Sequence, residues 1–434
     1  MTIFALSSAP GRAAVAVIRV SGPAAGDALK ALTARALPPP RQAALRRLVD
    51  PADGRMLDDA LVLWFAGPRS ETGEDMAEFQ VHGGRAVVAG VLAALARLPG
   101  LRPAEPGEFT RRAVANGRID LTAAEAIGDL VDADTQRQHE QALAEAGGAA
   151  ARRYDAWRET LIGLMARLEA AIDFSDEDLP AGLLSGMEEE MSALAAAMRG
   201  HLDDDGRAER LRRGLRVVIL GAPNVGKSSL LNRLARREAA IVAEEAGTTR
   251  DIVEVTLDIA GFAVTLCDTA GLREGAGAIE AEGMRRARLL AQEADLRLVL
   301  LDASCWRESL AAAGALMDSQ ALVVANKADL ATPSGHGVLA VSCSTGEGID
   351  RLVGEIARRL EAMWQPGPAG PSHARHRAGL EQAVSALQRA AGAGEAALAA
   401  EDLRLAATAL GRLTGRVDVE DILDAIFSRF CIGK

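Results

Sequence analysis

The chain has 434 residues, of which 49% are hydrophobic and 25% are charged, and its formal net charge is -11. This length predicts roughly two to four domains with well-buried cores. The acidic balance argues against unaided binding to a phosphate backbone, and no run of about twenty uncharged apolar residues exists to cross a membrane.

The first 116 residues mix strand-like and helix-like segments. The runs "AVAVIRVSG" and "DDALVLWF" are typical of strands, and "AVVAGVLAALARL" is typical of a helix. Pro10, Gly11 and Arg12 interrupt the apolar N-terminus, so no signal peptide is predicted. We predict an N-terminal α+β domain over residues 1–116.

Residues 117–212 have a helical pattern throughout. The segment Thr122–Glu125, "TAAE", matches a capping box at a helix start. The acidic run Asp203–Asp205 predicts a solvated surface. We predict that this region forms the first half of an all-α domain.

Residues 213–362 alternate strands and helices. The segment "LRVVILG" is typical of a strand buried in a parallel sheet. The strands "AVTLCDTAG", "LRLVLLDAS", "ALVVANKAD" and "GVLAVSCST" end in polar or glycine residues, where open α/β sheets bind ligands. The Pro/Gly-rich "QPGPAGPSHAR" predicts a linker, and helical patterns resume over residues 363–434. We predict that residues 117–212 and 363–434 pack into one discontinuous helical domain around the insert.

The segment Gly221–Ser229, "GAPNVGKSS", follows a buried strand and precedes a helix, as a phosphate-binding P-loop requires. Its glycines let backbone N–H groups face phosphate oxygens. Lys227 is expected to reach the terminal phosphates, and Ser228 to bind magnesium. Asp268 is expected to hold that magnesium through water, and the N–H of Gly271 is expected to contact the γ-phosphate. A threonine of "GTTRD" is expected to complete the set of magnesium ligands.

The segment "NKAD" predicts the base. The carboxylate of Asp329 only accepts hydrogen bonds, which suits the N–H and amino groups of guanine and opposes the lone pair of adenine. Asn326 is expected to bond the far edge of the base, Lys327 to lie along it, and "SCS" to close over it. The predicted GTP contacts are Asn224, Val225, Gly226, Lys227, Ser228, Ser229, Thr248, Thr249, Asp268, Thr269, Ala270, Gly271, Asn326, Lys327, Asp329, Ser342, Cys343 and Ser344.

GTP hydrolysis needs one group that places water and another that neutralises transition-state charge. Leu272 stands where a water-placing glutamine would follow "DTAG". Glu280 is therefore the better candidate, with Glu282 as its neighbour, and a solvated helix start is the alternative interpretation. Asn224 either helps to bind a monovalent cation beside the phosphates or simply suits a loop.

The motifs "GAPNVGKSSLLN", "AGTTRD", "DTAGLRE" and "NKAD" resemble those of the translation-factor-related GTPases. The flanking segments "APGRAAVAVIRVSG", "GEDMAEFQVHGG", "PGEFTRRAVANGRIDLTAAEAI" and "FCIGK" resemble the tRNA modification GTPase family MnmE, also called TrmE, over essentially the whole chain. The resemblance implies an N-terminal dimerisation and folate-binding domain, a helical domain in two parts and an inserted Ras-like GTPase domain.

The resemblance also implies an activity and partners. It implies a cytoplasmic, potassium-dependent GTPase that forms a homodimer and, with the FAD-binding protein MnmG, a heterotetramer. This complex would bind tRNA and form a 5-carboxymethylaminomethyl or aminomethyl group on its wobble uridine. 5,10-methylenetetrahydrofolate would supply the bridging carbon, and 5-formyltetrahydrofolate would be its analogue.

Family positions transfer to this sequence one by one. The family's folate contacts correspond to Arg19, Glu78, Arg118 and Lys434. Its potassium ligands correspond to Asn224, Ala243, Glu245 and Thr248. Its magnesium ligands correspond to Ser228 and Thr249, and its water-placing glutamate corresponds to Glu280. Arg118 departs from a commoner lysine, which changes the donor geometry. Glu245 departs from an aliphatic residue, and "GRAA" departs from a glycine-richer turn.

Two other functions stay open. A ribosome-assembly GTPase switch would share the nucleotide motifs, but that class usually adds a basic RNA-binding module, and no basic patch interleaved with aromatics or KH-type segment occurs here. A folate-binding scaffold with a vestigial GTPase would not need the complete set of motifs.

Overall fold

The computed structural model describes residues 1–173, 184–237, 240–241, 253–268, 290–292, 294–314, 317, 321–333, 338–364, 370–417, 423, 426–428 and 430–433. They form two compact units. The first comprises Met1–Gly128, Ala144–Met191 and Ser385–Lys434, and the second comprises Asp129–Leu143 and Ser192–Val384. Of the helices in the described ranges, none combines the length and hydropathy needed to cross a bilayer.

A mixed β-sheet is the framework of the N-terminal part of the first unit. Its strands are β1 (Thr2–Leu6), β2 (Val15–Ser21), β3 (Ala44–Val49), β4 (Met56–Phe65), β5 (Met76–His82) and β6 (Leu101–Pro103). They lie in the order β3-β4-β5-β2-β1-β6, with β6 parallel to β1 and the other neighbours antiparallel. The strands predicted from "AVAVIRVSG" and "DDALVLWF" are confirmed.

The two faces of this sheet are covered differently. On one face, α1 (Ala25–Thr33) and α2 (Arg85–Ala96) bury the larger apolar core. On the other face, α3 (Glu108–Ala115) contributes to a smaller cluster. Because side chains alternate along a strand, Arg19 and Glu78 project from this second face, where they are direct partners in the β2–β5 register.

The other helices of the described residues follow in chain order. They are α4 (Leu121–Asp132), α5 (Gln136–Ala146), α6 (Ala149–Asp173), α7 (Met187–Leu202), α8 (Arg207–Arg213), α9 (Lys227–Arg237), α10 (Trp306–Ala313), α11 (Ile349–Met363), α12 (Ala374–Ala391) and α13 (Ala396–Thr414). Helices α6 and α13 come from opposite sides of the α/β insert and pack together. An ion pair of 2.7 Å links Asp155 of α6 with Arg416, which follows α13. The discontinuous helical domain of the predicted fold class is thus confirmed, whereas its bounds, 117–212 and 363–434, stay predictions.

The start of α4 differs from its prediction. Asp120 precedes the helix, and its Oδ1 accepts hydrogen bonds from the backbone N–H of Ala123 (2.9 Å) and from the hydroxyl of Thr122 (2.5 Å). Asp120 is therefore the N-cap, and Thr122 lies inside the first turn. The capping-box prediction at Thr122 is wrong, because another good capping residue stands two positions earlier.

A second sheet forms the framework of the second unit. Its strands are β7 (Leu215–Leu220), β8 (Ala240–Ile241), β9 (Val253–Ile259), β10 (Phe262–Asp268), β11 (Leu296–Asp302), β12 (Ala321–Asn326) and β13 (Leu339–Ala340). They lie in the order β13-β12-β11-β7-β10-β9-β8. The neighbours from β13 to β10 are parallel, whereas β9 is antiparallel to β10 and to β8. The α/β domain predicted from the alternation of strands and helices is confirmed, with the layout of the Ras-like GTPase domain that the resemblance implies.

The parallel strands set the position of the ligand-binding edge. Strands β7, β10, β11 and β12 bury their apolar side chains in a core with α9 and α11. Their carboxyl ends meet at one edge of the sheet. The P-loop follows β7 there, and Asp268, Asp302 and Asn326 are the last residues of β10, β11 and β12. An edge of this kind is where open α/β sheets bind ligands.

The acidic run Asp203–Asp205 is only partly a solvated surface. Asp203 and Asp205 are exposed, but Asp204 is 2% exposed. Its carboxylate accepts hydrogen bonds from the N–H groups of Gly206 (2.9 Å) and Ala208 (3.1 Å) and from Arg377 (2.6 Å). The predicted solvated surface is therefore wrong for Asp204, which instead anchors the start of α8.

Candidate functional site

The P-loop curls because of its glycines. Gly221 has φ of 151° and Gly226 has φ of 99°, a region that L-residues with a Cβ rarely adopt. A Cβ at Gly226 would also collide with the amide nitrogen of Asn326. Between them, Asn224 has φ of 62°, which asparagine tolerates better than most residues. The loop thereby connects β7 to the N-terminus of α9, a geometry suited to phosphate.

The side chain of Lys227 lies inside the curved P-loop. Its side chain is buried, and its ammonium donates hydrogen bonds to the carbonyls of Gly221 (3.1 Å) and Ala222 (3.0 Å). Main-chain carbonyls of the P-loop therefore help to hold this charge at the centre of the loop. Phosphate oxygens are stronger acceptors than carbonyls, so they would compete well for this ammonium.

Ser228 and Asp268 meet beside the P-loop. The hydroxyl of Ser228 donates a hydrogen bond to Oδ2 of Asp268 at 2.5 Å, and Asp268 is 2% exposed. A hydroxyl and a buried carboxylate are both oxygen donors, which Mg²⁺ prefers. The residues present therefore fit a magnesium ion that Ser228 would bind and that the carboxylate of Asp268 would stabilise.

Asn326 joins the P-loop to the "SCS" segment. Its Nδ2 donates to the carbonyl of Val225 at 2.8 Å, and its Oδ1 accepts from the backbone N–H of Cys343 at 3.0 Å. Asn326 and Val225 are buried, whereas Ser229 is exposed at the start of α9. Asn326 thus positions two loops, and the bond to the far edge of the base stays a prediction.

The carboxylate of Asp329 is hydrogen-bonded to serines of the "SCS" segment. Its Oδ2 accepts a hydrogen bond from Ser344 at 3.1 Å, and the hydroxyls of Ser342 and Ser344 lie 2.9 Å apart. Hydrogen bonding from Ser342, followed by that from Ser344, lowers the pKa of Asp329. An exposed, ionised carboxylate at the loop after β12 is the acceptor that a guanine edge requires.

Lys327 has a partner that the sequence did not reveal. Its backbone has φ of 63°, and its ammonium pairs with Oδ2 of Asp302 at 2.5 Å. Asp302 ends β11 beside β12, so the pairing follows from the strand order. The contact fixes the end of the Lys327 side chain and leaves its stem to lie along the edge of the site.

Arg19 and Glu78 form a second charged site, in the first unit. The Nε of Arg19 donates to Oε1 of Glu78 at 3.0 Å, across the β2–β5 pair. A second carboxylate, Glu71, pairs with Arg19 at 2.8 Å. Arg118 lies next to the same loop, where its Nε donates to the carbonyl of Ser70 at 3.1 Å. The structure thus places Arg19, Glu78 and Arg118 around one loop, together with Glu71, which sequence reasoning missed.

The C-terminal tail lies against the N-terminal sheet. Ile432 forms a β-bridge with Pro106, and the carbonyl of Gly433 accepts a hydrogen bond from Ser7 at 2.8 Å. Gly433 has φ of 99°, and a Cβ there would collide with the carbonyl of Leu6. The described part of "FCIGK" therefore reaches the end of β1, two strands from Glu78 on β5.

Comparisons with known proteins match this chain to one family along its whole length. Residues 2–118 match the family model described as GTP-binding protein TrmE N-terminus, and residues 121–431 match the model described as MnmE helical domain. The chain belongs to the MnmE family of tRNA modification GTPases. It is 54% identical over 452 residues to tRNA modification GTPase MnmE of Rhodospirillum rubrum, covering 100% of this chain and 99% of the relative.

Other MnmE relatives span a wide range of organisms. The chain is 54% identical over 440 residues to tRNA modification GTPase MnmE of Paramagnetospirillum magneticum, with 100% of this chain and 99% of the relative covered. It is 49% identical over 458 residues to the human mitochondrial 5-taurinomethyluridine-[tRNA] synthase subunit GTPB3, with 100% and 93% covered.

Several residues predicted from the motifs or from the MnmE resemblance lie outside the described residues. They are Ala243, Glu245, Thr248, Thr249, Thr269, Ala270, Gly271, Glu280 and Lys434, together with Glu282. Of the four predicted potassium ligands, only Asn224 is described. Their predicted roles stay predictions.

Proposed function

We propose that this MnmE-family chain hydrolyses GTP as a step in the modification of the wobble uridine of tRNA. The observation that carries the proposal is one edge of the second sheet. There the P-loop follows β7, Asp268 ends β10 with Ser228 bonded to it, and Asp329 lies in the loop after β12, all at the carboxyl ends of strands of one sheet. The P-loop is suited to bind phosphate, the Ser228–Asp268 pair is suited to bind magnesium, and Asp329 is suited to bind guanine.

The residues of the chain divide the work of hydrolysis. Lys227 and the P-loop N–H groups hold the phosphates, and Ser228 with Thr249 holds magnesium. When bound, magnesium neutralises charge on the β- and γ-phosphate oxygens. Glu280 orients the attacking water, and Asp329 holds the base. The remaining GTP contacts are those named from the motifs above.

A more specific part of this proposal is that GTP hydrolysis depends on potassium. An arginine finger neutralises charge in other GTPases, and a potassium ion held by Asn224, Ala243, Glu245 and Thr248 would take that role here. The exposed position of Asn224 in the P-loop, with its positive φ, supports it. Pairing of two GTPase domains in a homodimer would complete the site.

Folate binding is proposed for the first unit. Arg19, Glu78, Arg118 and Lys434 would hold 5,10-methylenetetrahydrofolate, the one-carbon donor. A pterin ring has an N–H and amino edge like that of guanine, which a carboxylate such as Glu78 can accept. Arginines and a terminal lysine suit the carboxylates of a folate tail. The tail at Ile432 and Gly433, bonded to the N-terminal sheet, supports the place of Lys434.

The domain boundaries and partners belong to the same proposal. We assign residues 1–116 to dimerisation and folate, 117–212 and 363–434 to the helical domain, and 213–362 to GTP. A heterotetramer with the FAD-binding protein MnmG would bring tRNA to the site, since a chain of net charge -11 is poorly suited to bind it unaided. The thiols of Cys267, Cys305, Cys343 and Cys431 are free, which fits the cytoplasm.

The proposal is tested by nucleoside mass spectrometry on tRNA from cells that lack this chain. The 5-carboxymethylaminomethyl or aminomethyl uridines should vanish in the deletion and return with the wild-type chain. A Lys227→Ala form, made to equal level, should not restore them. Unchanged nucleosides in the deletion would overturn the role in tRNA modification and would direct attention to ribosomal precursors.

A further inference from the structure

The helix that follows the P-loop presents an arginine to the "SCS" segment. Arg233 lies on α9, which begins at Lys227, and its side chain is partly buried. Its guanidinium donates a hydrogen bond to the carbonyl of Ser344 at 3.3 Å. Gly346 has φ of 92°, and a Cβ there would collide with the same guanidinium. The arginine therefore contacts both the "SCS" segment and the turn into which it continues.

The "SCS" segment belongs to a turn that is closed by its own hydrogen bonds. The backbone N–H of Gly346 donates to the carbonyl of Ser342 at 2.8 Å, and the N–H of Ser342 donates to the carbonyl of Glu347 at 2.9 Å. The N–H of Thr345 donates to the hydroxyl of Ser342 at 3.1 Å. These bonds set the shape of the turn. Its position relative to the P-loop depends on contacts from outside the turn.

Two side chains connect this turn to the P-loop and its helix. Asn326 accepts from the N–H of Cys343 and donates to the carbonyl of Val225. Arg233 makes the second connection, at the carbonyl of Ser344. Burial raises the pKa of the Cys343 thiol to about 11, and the positive charge of Arg233 acts in the opposite direction, so this charge lies close to the thiol as well. The segment is thus held at two successive residues.

Ser344 also connects Arg233 with the carboxylate that would recognise the base. Its carbonyl accepts from Arg233, and its hydroxyl donates to Asp329 at 3.1 Å. Asp329 would accept from the N–H and amino groups of guanine. The acceptors of guanine are its 6-oxygen and its N7, and the 6-oxygen lies next to that N–H. A backbone N–H of the "SCS" segment can donate to the 6-oxygen only while the segment stays beside Asp329.

We propose that Arg233 is a positioning residue for guanine recognition, which holds the "SCS" segment where its backbone N–H groups donate to the 6-oxygen of the base. This inference rests on the proposed GTP function. Arg233 acts through the segment and does not need to touch the nucleotide. Without this arginine the segment occupies other positions as well, and the apparent affinity falls in proportion to the fraction that stays in place.

The test uses the full-length chain and calorimetric titration with GDP and 6-thio-GDP, which avoid hydrolysis. In 6-thio-GDP the N–H and amino groups for Asp329 are retained, but sulfur, a weak acceptor, replaces the 6-oxygen. Arg233→Ala should weaken GDP about three- to ten-fold, the range that one hydrogen bond contributes. It should weaken 6-thio-GDP by less than about two-fold. Damage to the P-loop would instead weaken both nucleotides equally, because they share the same phosphates.

Arg236→Ala is the matched control, because Arg236 is exposed on the same helix and the substitution alters net charge equally. It should leave both affinities unchanged. The inference would be overturned by an Arg233→Ala variant that binds GDP at least as tightly as wild type, or that loses as much affinity for 6-thio-GDP as for GDP. An equal loss in Arg236→Ala would also overturn it. Failure of the GTP function has a different signature, because the wild-type chain would then bind GDP no more tightly than ADP.

Discussion

Asn326 donates a hydrogen bond from its side chain to the carbonyl of Val225, 2.8 Å away across 101 positions of sequence. The same side chain accepts from Cys343. One buried amide therefore connects the P-loop with the "SCS" segment, which we propose to contact the phosphates and the base respectively. We therefore expect nucleotide binding at both the phosphate end and the base end to depend on Asn326.

Asn326→Ala should weaken both GTP and GDP by about 10- to 100-fold, since it leaves a buried carbonyl and a backbone N–H unsatisfied. Calorimetric titration of each nucleotide measures the effect. Asn326→Asp is the matched variant, because it keeps the shape and the bond from Cys343 but loses the donor to Val225. It should bind nucleotide at least as weakly as the alanine variant, because its carboxylate would face the carbonyl oxygen of Val225. Wild-type affinity in the alanine variant would contradict the bridging role.

Asp329→Asn should change the base that is preferred. The amide that replaces the carboxylate presents a donor to guanine's own donors, so GTP affinity should fall by about 10- to 100-fold. Xanthosine triphosphate, which carries a carbonyl in place of the amino group, should bind better than GTP. Competition binding with the two nucleotides measures this preference. An unchanged GTP affinity would refute the assignment of Asp329 to the base.

The arrangement of the P-loop, Asp268 and "NKAD" at one sheet edge was predictable from sequence, and the contact between Arg19 and Glu71 was not. The P-loop, Asp268 and "NKAD" lie within or directly after buried strands, so local pattern and parallel topology suffice to bring them together. The Arg19–Glu71 pair depends on the β2–β5 register and on how a loop is anchored, and neither leaves a local signal. Similarly, a charge run cannot reveal that Asp204 meets Arg377, 173 positions away.

Potassium should be required for turnover if a cation at Asn224 replaces an arginine finger. GTP hydrolysis should fall on the order of 100-fold when sodium replaces potassium at equal ionic strength, because arginine fingers contribute about 10³–10⁵. Asn224→Ala should remove the difference between the two salts. Phosphate release measured under single-turnover conditions reports the chemical step. Equal rates of the wild-type chain in both salts would rule out the cation.

Glu280→Ala should bind GTP normally and hydrolyse it slowly. A water-placing group worth about 3 to 4 kcal/mol corresponds to a loss of order 100 to 1,000 in rate. Single-turnover hydrolysis and nucleotide affinity are measured on the same preparation. Glu282→Ala is the matched control and should retain the wild-type rate. A slow Glu282→Ala with a normal Glu280→Ala would move the role to the neighbour.

Asp204→Asn should destabilise the second unit in a pH-dependent way. Burial of Asp204 alone would raise its pKa, but the hydrogen bonds from Arg377, Ala208 and Gly206 lower it below the ordinary 3.8. A lowered folded-state pKa stabilises the fold above pH 3.8, and that contribution is lost as the pH falls through the folded value.

The difference in melting temperature between wild type and Asp204→Asn should accordingly be constant from about pH 5 to 8 and shrink at lower pH. Breaking a buried pair costs about 3 kcal/mol at neutral pH. Differential scanning calorimetry across this range measures both quantities. Asp205→Asn, the exposed neighbour, should melt like wild type throughout. A difference between wild type and Asp204→Asn that grows as the pH falls would have the wrong sign for an ionised, paired carboxylate.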